Sequence, residues 1–397
     1  MSSIPTSTDD ATSSKEVRIY NSFDDMNLSD NLLRGVYSYG FERPSEIQKR
    51  CIVPMMQKRD ILAQAQSGTG KTGTFTIGSL QCIDANLHAV QVIVLAPVRE
   101  LAQQIESVVK GISYHMGVKV HTAVGGNAVR DDINAIRNGC QFLIGTPGRI
   151  FDLAHREVLK FGNVRYLVID EADQMLEDRF QDQVMEILKL GFPIEARVAL
   201  FSATMPPDMV RFTDTLLKDP IRVLVPAEEV PLDGIAQYYV ELENDDWKFD
   251  ALCDIYSQLP INQAIIYCNK RQRAEWLANK MKGANFTLEC IHGEMEVAER
   301  KQRMEDFRAG KVRVLISTDM LARGIDVQQV SLVMNYELPS DSANYIHRIG
   351  RAGRYGRKGT TINLISKEES KNMKEIQRMF PSLVMKELPQ SLGGLIL

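Results

Sequence analysis

The residues best suited to chemistry lie in two short runs of the N-terminal half. Ala65-Gln-Ser-Gly-Thr-Gly-Lys-Thr72 follows the apolar segment Asp60–Ala63 and opens a stretch of helical length. Gly68 and Gly70 let a backbone wrap an anion with its N–H groups, at a helix N-terminus whose dipole favours negative charge. In such a loop Lys71 reaches the β- and γ-phosphates of a nucleoside triphosphate and the Thr72 hydroxyl ligates Mg²⁺. Ala65, Gln66, Ser67, Gly68, Thr69 and Gly70 form the cradle. The strict pattern has Gly where this chain has Ala65, so the run matches at all but one position. Alone, it could also be a flexible Gly/Ser/Thr loop with an exposed Lys.

The second run, Tyr166-Leu-Val-Ile-Asp-Glu-Ala-Asp173, is an apolar strand ending in three acids within four residues. Doubly wound sheets bind ligands at the carboxyl ends of their strands. There Asp170 suits Mg²⁺ coordination through water, and Glu171 suits the orientation or deprotonation of an attacking water. Solvated charges at a strand end are common, but together the two runs make a nucleoside-triphosphatase site.

The elements that must hold these residues alternate. Val92–Ala96, Phe142–Ile144, Tyr166–Ile169, Val198–Phe201 and Arg222–Val225 read as buried strands. Helix-length stretches separate them, among them Lys71–Ala85, Glu100–Tyr114 and Phe180–Leu190. Such alternation predicts an α/β fold with a parallel sheet covered by helices on both faces. A Pro- and Gly-containing acidic stretch interrupts it, and the alternation then resumes with Ala264–Tyr267, Thr287–Ile291, Val312–Ser317, Leu332–Asn335 and Thr361–Ile365. The expected organisation is a disordered tail over 1–20, one α/β domain over 21–225, a linker over 226–236 and a second domain over 237–397.

Bulk properties narrow the class. The first 236 residues carry 24 Lys and Arg against 30 Asp and Glu, and the remainder 23 against 21, so a nucleic-acid partner would meet local basic patches rather than a bulk field. The six cysteines are scattered without a CxxC pair, which fits a reducing compartment and neither a disulfide framework nor a zinc site. No apolar run approaches the roughly 18 residues a membrane helix needs.

Asp170-Glu-Ala-Asp173 resembles the signature of the DEAD-box RNA helicases, and other motifs similar to theirs occur in order. These are Gly40-Phe-Glu-Arg-Pro-Ser-Glu-Ile-Gln48, Pro97-Val-Arg-Glu-Leu101, Gly125-Gly126, Thr146-Pro-Gly-Arg149 and Ser202-Ala-Thr204 in the first half. Ser317-Thr-Asp319, Ala322-Arg-Gly-Ile-Asp326 and His347-Arg-Ile-Gly-Arg-Ala-Gly-Arg354 follow in the second. The resemblance spans about residues 20–390 and implies two tandem RecA-like domains that use ATP and Mg²⁺ to act on RNA.

It also implies roles. Phe41 would offer a face to adenine and Gln48 would read its edge, since an amide can donate and accept together. Arg351 and Arg354 would be arginine fingers toward the γ-phosphate, a task suited to a planar guanidinium. Gly324 and Asp326 would meet the nucleotide, Asp326 contacting its ribose or ordering the fingers, while Ser202, Thr204 and His347 would couple the ATP and RNA sites. RNA would run across both domains, on Pro97, Arg99, Gly126, Thr146, Pro147, Gly148 and Arg149 of one and Arg271, Arg300 and Thr318 of the other. Such backbone contacts carry no sequence information. Three positions depart from the pattern: Val98 and Lys270 stand where Thr is usual, and Val297 where Gln is usual.

Within the family the chain is similar to the initiation factor 4A subfamily, through stretches such as Phe23-Asp-Asp-Met26, Leu32-Leu-Arg-Gly-Val36 and Asp326-Val-Gln-Gln-Val-Ser-Leu332. That similarity implies a cytoplasmic monomer working with a scaffold protein of the 4G type and an RNA-binding cofactor of the 4B type. Trp247-Lys-Phe-Asp250 and Gly353-Arg-Tyr-Gly-Arg-Lys-Gly359 also resemble a nuclear paralogue. The alternative role is therefore an ATP-locked RNA clamp of the exon-junction complex, or one in ribosome assembly.

Overall fold

The computed structural model describes residues 18–65, 68–175, 178–205, 207–224, 235–259, 261–322, 330–352, 359–380 and 383–392. The apolar runs form strands because each is buried on both faces, where branched side chains pack and the backbone pairs in parallel ladders. The first domain contains β1 (Ile61–Gln64), β2 (Val92–Leu95), β3 (Val120–Ala123), β4 (Phe142–Gly145), β5 (Tyr166–Ile169), β6 (Arg197–Ser202) and β7 (Ile221–Leu224). They make one sheet in the order β3-β4-β2-β5-β6-β1-β7. The second contains β8 (Ile235–Leu242), β9 (Ala264–Tyr267), β10 (Leu288–Ile291), β11 (Val314–Ser317), β12 (Leu332–Asn335), β13 (Gly359–Ser366) and β14 (Met385–Glu387). Its order, β10-β11-β9-β12-β13-β8-β14, repeats the first, with β9 in the place of β2 and β11 in that of β4.

Alternate side chains of each strand enter different cores. Val92 and Val94 pack with Ile105 and Val109 of the helix Arg99–Ile112, while Ile93 and Leu95 pack with Ile150 and Leu153 of the helix Pro147–His155. Ala264 and Ile266 divide from Ile265 and Tyr267 in the same way. Each fully buried aliphatic side chain contributes about 1.5–3 kcal/mol. Every strand pairing in both sheets is parallel. The carboxyl ends of a sheet's strands therefore share one edge, and the loops leaving that edge carry the candidate residues.

Some boundaries differ from the sequence reading. The helix expected over Lys71–Ala85 ends at Leu80, because the following turn is tied down by Gln91, whose side chain bonds the backbone N–H and carbonyl of Asp84. The linker expected over 226–236 lies outside the described residues except Ile235 and Ala236, which already belong to β8. Gly234 separates the acidic stretch from that strand in sequence, and pairing with β13 fixes its start. Of the expected tail only 18–20 are described. There Tyr20 packs on the first core and its N–H donates to Lys49 O at 3.3 Å.

Candidate functional site

The loop leaving β1 turns on two glycines in the left-handed region, Gly68 at φ 85° and Gly70 at φ 97°. Gly70 caps the helix Lys71–Leu80. Ala65 is buried, and its N–H donates to Ser202 O at 2.9 Å, anchoring the loop to β6. Thr69 and Thr72 are half-buried; Gln66 and Ser67 lie outside the described residues. Gln48 is buried against this loop. Its Nε2 donates to Gly70 O at 3.3 Å and its Oε1 accepts from Ser45 N–H at 2.9 Å. A Cβ on Gly70 would come within 2.9 Å of Gln48 Nε2, so the Gln48 amide and the glycine loop are closely fitted. Phe41, half-buried, stacks on Phe23 with ring centroids 6.4 Å apart and meets Tyr39 edge-on at 5.2 Å.

Facing the loop are the acids at the end of β5. Lys71 Nζ lies 3.5 Å from Glu171 Oε1, with both side chains buried. Asp170 Oδ1 accepts from Glu171 N–H at 3.0 Å. Burial, then repulsion from Glu171, pushes the Asp170 carboxyl up to about 7. Glu171 behaves oppositely: burial pushes it up, but Lys71 and His347 overcome that and hold it below its ordinary value. The Glu171 backbone sits at φ 48°, a left-handed conformation that costs a non-glycine residue roughly 1–3 kcal/mol and is concentrated at functional sites.

A chain of polar contacts leads from these acids into the second domain. Ser202 Oγ donates to Thr204 O at 2.8 Å, and Thr204 Oγ1 donates to Asp173 Oδ2 at 2.6 Å. The same Asp173 oxygen is 2.8 Å from His347 Nε2, across the cleft. Donor atoms of Glu171, Asp173 and His347 all lie within 4.8 Å of one another. Arg351 is buried, and its Nε donates to Ala322 O at 2.8 Å; it lies close enough to help lower Glu171. Gly324, Asp326 and Arg354 lie outside the described residues.

Beside this centre runs an interdomain cavity of about 480 Å³, lined by Pro97, Arg99 and Thr146 on one side and Asn269, Arg300 and Thr318 on the other. Gly126 sits at φ 81°, in the left-handed region that favours glycine, and a Cβ there would push the Arg99 guanidinium aside. Burial, with Arg300 and Arg149 nearby, lowers the Arg99 guanidinium from its ordinary value. Pro147 begins its helix at the first position and is buried, whereas Gly148 is exposed. Val98, as the cap of the helix Arg99–Ile112, packs its side chain on the core. Val297 begins the helix Val297–Arg308 and lines a second interdomain cavity.

Several expected RNA-binding cations have carboxylate partners that sequence reasoning did not assign. Arg149 pairs with buried Asp132 and donates to Asn127 O at 2.9 Å, while Asp132 Oδ1 also lies 2.7 Å from His121 Nε2. Arg271 pairs with Glu294. Arg300 Nε reaches Glu100 Oε1 of the other domain at 2.6 Å. Fully buried Arg348 uses all five guanidinium hydrogens, on Asp319 twice, Asn269, Asn335 and Glu337 O. Glu100 and Asp319 sit inside motifs already quoted, so their place beside the site was readable. Asp132 carried no such signal.

The family model for DEAD/DEAH box helicases matches residues 45–212, and that for the helicase conserved C-terminal domain matches 247–356. The chain is 50% identical to an ATP-dependent RNA helicase eIF4A of Emericella nidulans, over 95% of this chain and 94% of that protein. It is 49% identical to the Schizosaccharomyces pombe protein of the same name, over 95% and 96%. Among solved structures it resembles S. cerevisiae Dbp5 bound to RNA and ADP BeF3, with TM-score 0.87 at 34% identity over 94% of this chain and 97% of that one. Against a Dbp5 variant bound to nup159, gle1, ip6 and adp the TM-score is 0.63 at 32% identity, over 91% and 96%. The chain thus superposes better on the relative bound to RNA and ADP BeF3 than on the one bound to nup159, gle1, ip6 and adp. On its motifs, its paired sheets and these matches, the chain belongs to the DEAD/DEAH box helicase family.

Proposed function

We propose that this chain is an ATP-dependent RNA helicase acting as a translation initiation factor of the 4A type, and that hydrolysis waits on closure of its two domains. The observation that carries this is the Asp173–His347 contact, which ties the acids of the first domain to the second at 2.8 Å. Neither domain alone holds a complete set of groups.

In this reading Lys71 leaves Glu171 to hold the β- and γ-phosphates, and Gly68 to Gly70 present their N–H groups. Gln48 reads adenine from its place against Gly70, and Phe41 flanks the base. The residues present suit Mg²⁺: a buried Asp170 whose carboxyl resists ionisation would be relieved by a divalent cation, and the Thr72 hydroxyl is positioned by the loop. Bound there, the ion would neutralise charge on the phosphates.

Glu171 Oε2 and His347 Nδ1 are both buried without hydrogen-bond partners, 3.9 Å apart. Asp173 accepts from the Thr204 hydroxyl, so His347 Nε2 donates to it. A water held there would donate a hydrogen to the Glu171 carboxylate, the group that would take its proton as it attacks the γ-phosphate. Arg351, its plane fixed by Ala322 O, stabilises the charge that develops on that group, with Arg354 as second finger. Gly324 and Asp326 complete the nucleotide site from the second domain.

RNA bridges the closed domains through Pro97, Arg99, Gly126, Thr146, Pro147, Gly148 and Arg149, and Arg271, Arg300 and Thr318, without reading sequence. The likeness to proteins named eIF4A supports a cytoplasmic place and partners of the 4G scaffold and 4B cofactor types. The direct test compares ATP hydrolysis with single-stranded RNA, with DNA of the same sequence, and with neither. Strong stimulation by RNA alone is expected, since 2′-hydroxyl contacts distinguish the two. Equal stimulation by DNA would reject the RNA assignment.

A further inference from the structure

The repeated sheet order makes the strand ends of the two domains correspond. Val98 caps the helix that follows β2, and Lys270 caps the helix Arg271–Gly283 that follows β9; Thr146 follows β4 as Thr318 follows β11. At both caps this chain lacks the Thr of the family pattern, so neither side chain makes a capping hydrogen bond. The two replacements differ in kind. Val98 turns to the core, whereas Lys270 is exposed.

The cations around Lys270 are already engaged. Arg271 pairs with Glu294 and has Glu275 Oε1 3.9 Å from its Nε. Arg300 is held by Glu100, and Arg273 pairs with Asp245. The Lys270 ammonium has no carboxylate or hydrogen-bond partner among the described residues, and its predecessor Asn269 lines the interdomain cavity with Arg99, Thr146, Arg300 and Thr318.

We propose that Lys270 binds an RNA phosphate on the second domain and supplies more of the electrostatic attraction there than Arg271 does. A free ammonium that meets a phosphate displaces a condensed counterion from the RNA. Arg271 must first leave Glu294, whose carboxylate then stands near the phosphate and opposes the gain. The loss of a cap hydroxyl in the first domain is thereby offset by a charge at the matching place in the second. This inference rests on the RNA reading above and assigns one contact within it.

The test measures binding of a labelled oligouridylate to the full chain, with a non-hydrolysable ATP analogue present, over a series of salt concentrations. For Lys270→Ala the log–log slope should shrink by roughly 0.7, the value for one single-strand phosphate contact. Lys270→Arg should restore it, and Arg271→Ala should change it by less than Lys270→Ala does. A mixed-sequence RNA should show the same pattern. An unchanged slope in Lys270→Ala, or a larger loss in Arg271→Ala, would overturn the proposal. If the parent chain itself bound RNA without salt dependence, the RNA reading beneath it would fall instead.

Discussion

Asp173 Oδ2 accepts from Thr204 Oγ1 within its own domain while lying 2.8 Å from His347 Nε2 of the other. One buried carboxylate oxygen therefore registers both the loop after β6 and the approach of the second domain. A hydrogen bond to a charged group contributes about 1.5–3 kcal/mol, which is roughly ten- to a hundred-fold in the population of the closed form. His347→Ala should lower that population by this order with RNA and an ATP analogue present, and leave nucleotide binding by the first domain nearly unchanged. Interdomain energy transfer between two dyes reads it directly, and an unaltered closed fraction would show that this contact does not drive closure.

A second tie crosses the cleft on the RNA side, where Arg300 Nε and Glu100 Oε1 are 2.6 Å apart with both side chains mostly buried. Arg300 is also an expected RNA contact, so single substitutions mix two effects. A double-mutant cycle of Glu100→Gln and Arg300→Gln on the RNA concentration needed for half-closure separates them. The coupling should be about 1 kcal/mol, at the upper end for pairs that are not fully buried. Additive effects would mean that the pair adds nothing to closure.

Asp170 makes the metal-free chain sensitive to pH. Its carboxyl ionises near 7 when folded against an ordinary 3.8, so the folded state holds a proton that the unfolded state releases. The resulting stability is complete below about 4 and is lost as pH rises to about 7, by at most about 1.4 kcal/mol per unit. Asp170→Asn cannot ionise. The stability of the parent minus that of this variant, from denaturant unfolding, should therefore fall over that window and stay level above it. A difference that rises with pH would show that Asp170 is stabilised as the carboxylate.

Much of this was legible in the sequence, for a physical reason. Parallel strands buried on both faces are continuous apolar runs, so Tyr166–Ile169 and Leu332–Asn335 stand out with their bounds intact. The strands β3 and β14 did not, because Val-His-Thr-Ala and Met-Lys-Glu lie at sheet edges and mix polar with apolar residues. The cations were visible but their partners were not. Arg149 and Asp132 meet only because the fold brings the helix Val129–Arg137, which packs on β3, beside the start of the helix Pro147–His155, and the five bonds of Arg348 depend on where β9, β11 and β12 end. A basic residue in a motif thus shows where charge is placed; only the fold shows whether it is already neutralised.

The last prediction separates the two halves of the catalytic centre. Lys71 and Glu171 belong to the first domain, and Arg351 is brought to them by the second, where it is buried and helps hold Glu171 in its charged form. In the proposed mechanism Arg351 acts on charge developing at the transferring phosphoryl group, and such a finger contributes about 10³–10⁵ in rate. Arg351→Ala should accordingly nearly abolish RNA-stimulated hydrolysis while ATP still binds the first domain. Glu171→Gln keeps the finger and the fold of the loop but removes the charged acceptor for the attacking water. Hydrolysis should stop after closure, so a complex with ATP and RNA should accumulate and release RNA slowly. Lys71 also loses its ionic partner there, which should tighten rather than weaken its hold on phosphate. The measurement is single-turnover hydrolysis at saturating RNA, alongside the rate of RNA release in ATP. RNA-stimulated turnover at the parent rate in Arg351→Ala, or fast RNA release in Glu171→Gln with hydrolysis blocked, would break the two-domain mechanism.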